Sequence, residues 1–106
     1  LEFRRVLFRS SVTIIGIFKK LSSDSFEEYR SQVGASIELY GGQLVRRGVC
    51  QIPFWNQLNS EEFDTFVELS FPTLEDAEQW AKSPEYEALL PVRNQAMQLT
   101  LFTVEF

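Results

Sequence analysis

Ser83 to Arg93 reads S-P-E-Y-E-A-L-L-P-V-R, and this stretch puts a strong helix start and a cation on one intended core face. Ser83 offers a side-chain oxygen to the free N–H groups of a helix start, and Pro84 sits at the first helical position, where its missing N–H costs nothing. Glu85 meets the positive end of the helix dipole. Counting from Tyr86, positions i+3, i+4 and i+7 are Leu89, Leu90 and Arg93. An arginine on an apolar stripe needs a partner or a purpose. Pro91 is expected to kink or break the helix, because it removes a hydrogen bond and clashes with the preceding turn.

Outward from that segment the chain alternates between two periods. Val12 to Phe18 is short and β-branched, which favours a strand. Ser22 to Asp24 is a cluster of capping residues, and Asp24 with Glu27 matches the spacing of a capping box. Phe26, Tyr29, Val33, Ile37 and Tyr40 then mark one face of an amphipathic helix, and Gly41-Gly42 stops it as a left-handed cap. Gln43 to Cys50 and Phe63 to Phe71 read as strands. Thr73 with Asp76 opens a second helix that carries Leu74, Ala77, Trp80 and Ala81. Leu99 to Phe106 is a last strand. The order strand–helix–strand–strand–helix–strand is the split βαβ or ferredoxin-like pattern, an α+β fold with a four-stranded antiparallel sheet and its helices on one face.

The totals exclude several functions. A chain of 106 residues with 44% hydrophobic and 14% aromatic content is one globular domain. Its net charge of −5 argues against a nucleic-acid surface. No apolar run approaches the roughly 18 residues of a membrane helix, and no secretory signal is expected. The single Cys50 has no partner for an internal disulfide, so a reducing, cytoplasmic setting is expected. Histidine is absent, which removes the commonest metal ligand and the usual general base. No acidic cluster has metal-ligand spacing, so neither metal nor cofactor is expected. Leu1 to Ser10, L-E-F-R-R-V-L-F-R-S, resembles a translated sequencing adapter on an environmental gene fragment. Residues 11–106 are then the natural domain. Ten basic residues less Arg4, Arg5 and Arg9, and fifteen acidic less Glu2, leave a net charge of −7.

Two strands are apolar on both faces. Val12, Ile14 and Phe18 oppose Ile15 and Ile17, and Leu99 and Leu101 oppose Phe102, Val104 and Phe106. Something must cover the second face, and a second copy of the chain is the simplest cover. A homodimer, sheet against sheet, is expected, with a cavity between sheet and helices or at the dimer seam.

Several side chains are candidates for a site. Tyr86 and Arg93, with Arg46 or Arg47, would form an anion-binding group, since guanidinium forks suit carboxylates. Alternatively, Tyr86 packs in the core and Arg93 lays its stem along it. Glu68, flanked by apolar neighbours, is a weak candidate for a catalytic base; the edge of a dimer seam is its other reading. Trp55, with Phe54, stands in the loop from Gln51 to Glu62 and would gate a pocket or pack across the dimer. Cys50 reads as inert. Gly41-Gly42 is a helix stop and not a phosphate loop, because it follows a helix.

Asp24 with Phe26 and Tyr29, Tyr40-Gly41-Gly42, Val45-Arg46-Arg47-Gly48, Phe71-Pro72 with Ala77, and Ser83-Pro84-Glu85-Tyr86 with Leu89 and Arg93 together resemble a bacterial family. It is the domain-of-unknown-function family numbered thirteen-thirty, within the dimeric α/β-barrel superfamily. The resemblance covers most of Ser11 to Phe106 and implies a ferredoxin-like protomer paired side by side, with no agreed activity. The chain departs from it at Ser70, where the family usually has Glu, and in a longer, more aromatic segment between the middle strands. Three functions stay open. One is a homodimer that binds a small anionic or apolar organic ligand. Another is a cofactor-independent monooxygenase- or isomerase-like enzyme, and the last a purely structural or regulatory dimer.

Overall fold

The computed structural model describes residues 11–106; the adapter-like stretch lies outside them. Strand β1 (Val12–Lys20) leads into helix α1 (Ser23–Leu39), followed by β2 (Gln43–Val49) and β3 (Thr65–Phe71). Three short helices, α2 (Leu74–Ala81), α3 (Pro84–Glu87) and α4 (Leu90–Ala96), precede β4 (Met97–Val104). The sheet order is β2-β3-β1-β4, and every neighbouring pair is antiparallel. This is the ferredoxin-like architecture expected from the element order.

Local chemistry accounts for the boundaries. Ser22 caps α1 by accepting the Ser25 N–H at 3.3 Å. The expected pairing of Asp24 with Glu27 is therefore displaced: Asp24 already lies in the first turn, where its charge suits the dipole. Helix α1 ends in a Schellman motif. Gly41 takes φ 81°; its N–H donates to Glu38 O at 3.0 Å, and the Gly42 N–H donates to Ile37 O at 3.0 Å. Gly42 also lies so close to the core that a Cβ there would stand 2.5 Å from the Phe71 ring. Thr73 caps α2 through the Asp76 N–H at 3.0 Å. Ser83 caps α3 through the Tyr86 N–H at 3.1 Å, with Pro84 in the first turn. Pro91 does break the helical run. Helix α3 stops at Glu87, α4 starts at Leu90, and Pro91 occupies the first turn of the new helix, where it is tolerated. The last strand begins two residues earlier than expected, at Met97.

One face of the sheet packs on the helices. Val12, Ile14 and Phe18 from β1 and Leu69 and Phe71 from β3 meet Phe26 and Ile37 of α1 and Ala77 and Trp80 of α2. Trp80 and Phe71 are the largest fully buried side chains. Their rings lie 5.4 Å apart, and the Trp80 indole N–H donates to Ser36 Oγ at 3.1 Å. The other face carries Ile15, Ile17, Phe66, Glu68, Phe102 and Val104, brought into adjacent rows by the β1–β3 and β1–β4 registers. Among the described residues no helix covers that face, and Phe102 is 46% exposed.

Between Leu44 and Arg46 the β2–β3 ladder slips by one residue, leaving Val45 as a bulge. Leu44 pairs with Leu69 and Arg47 with Val67, both on the helix-covered face, whereas Arg46 pairs with Glu68 on the open face. Without the slip Arg46 would stand on the covered face, since a one-residue shift inverts every side chain beyond it.

Candidate functional site

A cavity of about 140 Å³ lies between α1 and the covered face of the sheet. Apolar cavities of about 150 Å³ hold one benzene-sized ring. Its inner wall is formed by buried Phe18, Leu69, Trp80, Tyr86, Met97 and Tyr29, and its exposed lining, which marks the mouth, is Arg30 and Gly34 of α1 with Leu44 and Arg47 of β2. The wall is almost wholly hydrocarbon, so its few polar groups decide what the space suits.

Two tyrosines meet on the inner wall. The Tyr29 and Tyr86 hydroxyl oxygens are 2.9 Å apart, with the rings edge to face. Arg93 Nη1 donates to the Tyr86 hydroxyl at 3.1 Å, and its guanidinium stands 5.7 Å from the centre of the Tyr86 ring. Burial, and then the coupling to Tyr86, push the Tyr29 phenol well above its ordinary range, with Arg93 opposing. Tyr29 therefore keeps its proton at neutral pH. Trp80 packs on Tyr86 at 4.4 Å between ring centres, which fixes that ring in place.

The rim is cationic. Lys20 Nζ lies 4.4 Å and the Arg47 guanidinium 5.8 Å from the centre of the Phe26 ring. Arg30 is paired with Glu27 at 3.1 Å. Among the described residues neither Arg47 nor Arg93 has a carboxylate within ion-pair distance. Of the seven basic residues in 11–106, four (Lys20, Arg30, Arg47 and Arg93) thus stand on or beside this cavity in an acidic chain. Charges gathered in this way attract anions to the mouth.

The residues singled out from sequence divide sharply. The structure brings Arg93 and Tyr86 together across the α3–α4 break. It does not bring Arg46 to them. The bulge turns Arg46 to the open face, where its Nε donates to Glu68 Oε1 at 2.8 Å, and Arg47 takes the place by the cavity. Glu68 is engaged in that ion pair on the far side of the sheet, so it is not a base for this cavity. Trp55 is 81% exposed, in the 50–64 segment; its ring neighbour is Phe54, and neither lines the cavity. Burial, and after it Asp64, push the Cys50 thiol up, away from the reactive thiolate. Sequence reasoning treated Tyr29 as one more core residue of α1. Its only signal was a hydroxyl on an otherwise apolar stripe, which needs a buried partner. Among the described residues no group of three or more His, Cys, Asp or Glu is placed to hold a metal ion, and no helix is long and apolar enough to cross a membrane.

Fold and cavity together define a protomer of ferredoxin-like fold with a space between helices and sheet. The chain belongs to the domain-of-unknown-function family DUF1330, whose model matches residues 12–106. No curated protein matches it. Among solved structures it is similar to RPA0582 of Rhodopseudomonas palustris, a protein of unknown function (TM-score 0.72, 16% identity, 99% of this chain and 88% of that one). It is also similar to SnoaB, a cofactor-independent oxygenase of Streptomyces nogalater (TM-score 0.67, 10% identity, 92% of this chain and 93% of that one). A dimeric protein of unknown function and ferredoxin-like fold from Bacteroides fragilis matches with TM-score 0.57 and 17% identity, over 92% of this chain and 97% of that one. At these identities the likenesses establish the fold.

Proposed function

We propose that this protein is a homodimeric binding domain that holds a small organic ligand, apolar in its body and anionic at one end, in the cavity beneath α1. The observation that carries the reading is the combination of a hydrocarbon-walled space of about 140 Å³ with a rim of cations in a chain of net charge −5. The apolar body gains from leaving water, and the anionic end meets Arg47 at the mouth, with Lys20 beside the lining Phe26 ring. A purely structural dimer would have no use for an opening flanked by Arg47, a guanidinium with no ion-pair partner among the described residues. The dimer reading rests on the uncovered rows of Ile15, Ile17, Phe66 and Phe102 and on the dimeric protein of the same fold. Ile52, Phe54, Trp55 and Leu58 extend the apolar surface into the 50–64 segment, each more than 80% exposed. The residues 11–106 remain, on this reading, one domain.

Isothermal titration with benzoate and its neutral counterpart benzamide tests the proposal. Benzoate is expected to bind more tightly than benzamide, and Arg47→Met to weaken benzoate by about tenfold while leaving benzamide unchanged. Saturation by neither compound overturns the reading.

A second reading, a cofactor-independent oxygenase or isomerase, has one specific observation in its favour. The hydrogen-bonded Tyr29–Tyr86–Arg93 group polarises the hydroxyls of two tyrosines that line an apolar space, and polarised hydroxyls stabilise a developing oxyanion within their reach.

A further inference from the structure

The hydroxyls of the two tyrosines that line the cavity hold one proton more than the protein accepts. A guanidinium only donates, so the Arg93 contact consumes a lone pair of the Tyr86 oxygen and supplies no acceptor. The single contact between the Tyr29 and Tyr86 oxygens uses one of their two protons. Whichever hydroxyl donates there, the proton of the other has no protein acceptor among the described residues. Both side chains line the cavity, and both are buried. A buried donor left unmet is costly, and the surrounding wall is almost wholly hydrocarbon.

Arg93 decides which proton is left over. Its donation draws electron density from the Tyr86 oxygen and makes the Tyr86 O–H the better donor, so the chain runs Arg93 to Tyr86 to Tyr29. The Tyr29 O–H is then the terminal donor. Burial keeps that phenol protonated, so the donor persists at neutral pH.

We propose that Arg93, Tyr86 and Tyr29 form a one-directional donor chain that binds the electron-rich oxygen of a phenol or an enolisable carbonyl compound seated in the cavity. The proposal rests on the cavity being a ligand site, and it names the ligand's second polar feature: an oxygen at its inner end, opposite the charge held at the mouth. The chain holds the ionised form, phenolate or enolate, more tightly than the neutral one. A fixed donor backed by a guanidinium gains more from a full negative charge than from a neutral oxygen.

The probes are 4-nitrophenol, whose ionisation is read directly from its visible absorbance, and 4-nitrotoluene, which has the same shape without the hydroxyl. Wild-type protein is expected to bind nitrophenolate about tenfold more tightly than nitrophenol, which lowers the apparent pKa of the bound probe by about one unit. Tyr29→Phe, Tyr86→Phe and Arg93→Met are each expected to remove most of that preference. The Phe variants keep the ring packing, and 4-nitrotoluene affinity should be unchanged in both. If 4-nitrotoluene binds and the phenolate preference is absent, the donor chain is wrong and the cavity reading stands. The same holds if the preference survives in both Phe variants, or disappears only in Arg47→Met, since the cations at the mouth would then be its source. If neither probe binds the wild type, the cavity reading fails and the inference fails with it.

Discussion

The two faces of one sheet have been given opposite treatments. On the covered face, α1 and α2 close over Val12, Ile14, Leu69 and Phe71 and leave a space lined by Arg47, which has no carboxylate within ion-pair distance among the described residues, and by a tyrosine pair backed by Arg93. On the open face the residues are equally apolar, and the charge they carry is already neutralised. Arg46 and Glu68 meet at 2.8 Å, with the Glu68 side chain 17% and the Arg46 side chain 73% exposed. A guanidinium with no ion-pair partner beside a void suits a small ligand that brings its own acceptor. A neutralised pair bordering a flat apolar surface suits another protein surface, where an uncompensated charge would be costly to bury. On the proposed reading, hydrophobicity alone does not distinguish the ligand site from the interface; the state of the polar groups does.

The strongest way to break this comparison is Trp80→Ala. Trp80 is 1% exposed and touches Phe71, Tyr86 and Ser36. Its loss is expected to cost about 3–5 kcal/mol, read from the urea midpoint, and a loss under about 1 kcal/mol would show that the covered face is not the core. Next comes Ile15→Glu on the open face. Ile15 lies between Glu68 and Phe102 in the register, so the substitution sets a second carboxylate beside the first. The variant should fold, and its dimer dissociation constant in sedimentation velocity should rise about 100-fold or more; an unchanged dimer would separate the open face from the interface.

The smallest effect sharpens the covered face. The Tyr29 phenol titrates near pH 10 in an unfolded chain and higher than that in the native protein, because of burial and Tyr86. Above about pH 10 the unfolded state therefore releases a proton that the native state keeps, and stability falls by about 1.4 kcal/mol per pH unit. Tyr29→Phe lacks this contribution. Urea unfolding of the two proteins should diverge above about pH 10, with the wild type losing stability faster. Parallel curves would mean that the phenol is solvated in the native state.

Much of the fold was legible because its signals are local. Ser83-Pro84, Thr73 and Gly41-Gly42 act through atoms within a few residues of themselves, and each does at its helix end what its chemistry requires. Capping at α1 was less legible, because Ser22 and Asp24 offer competing oxygens two residues apart, and Ser22 holds the N–H that matters. The Tyr86–Arg93 contact could be anticipated from a spacing of seven, although a helix break lies between them. Tyr29 could not be assigned to the site in that way, since its hydroxyl partner is 57 residues distant.

By itself, the sequence determined the order of strands and helices, the two apolar faces of the sheet and the placing of a cation beside the core at Arg93, because periodicity and capping are properties of neighbouring residues. Tertiary structure alone decided which arginine of β2 serves the cavity. Alternation along the strand from Leu44 points to Arg46, but the bulge at Val45 inverts the pleat, sending Arg46 to Glu68 on the open face and Arg47 to the cavity mouth. A bulge is a relation between two strands, and β2 shows it only where it meets β3.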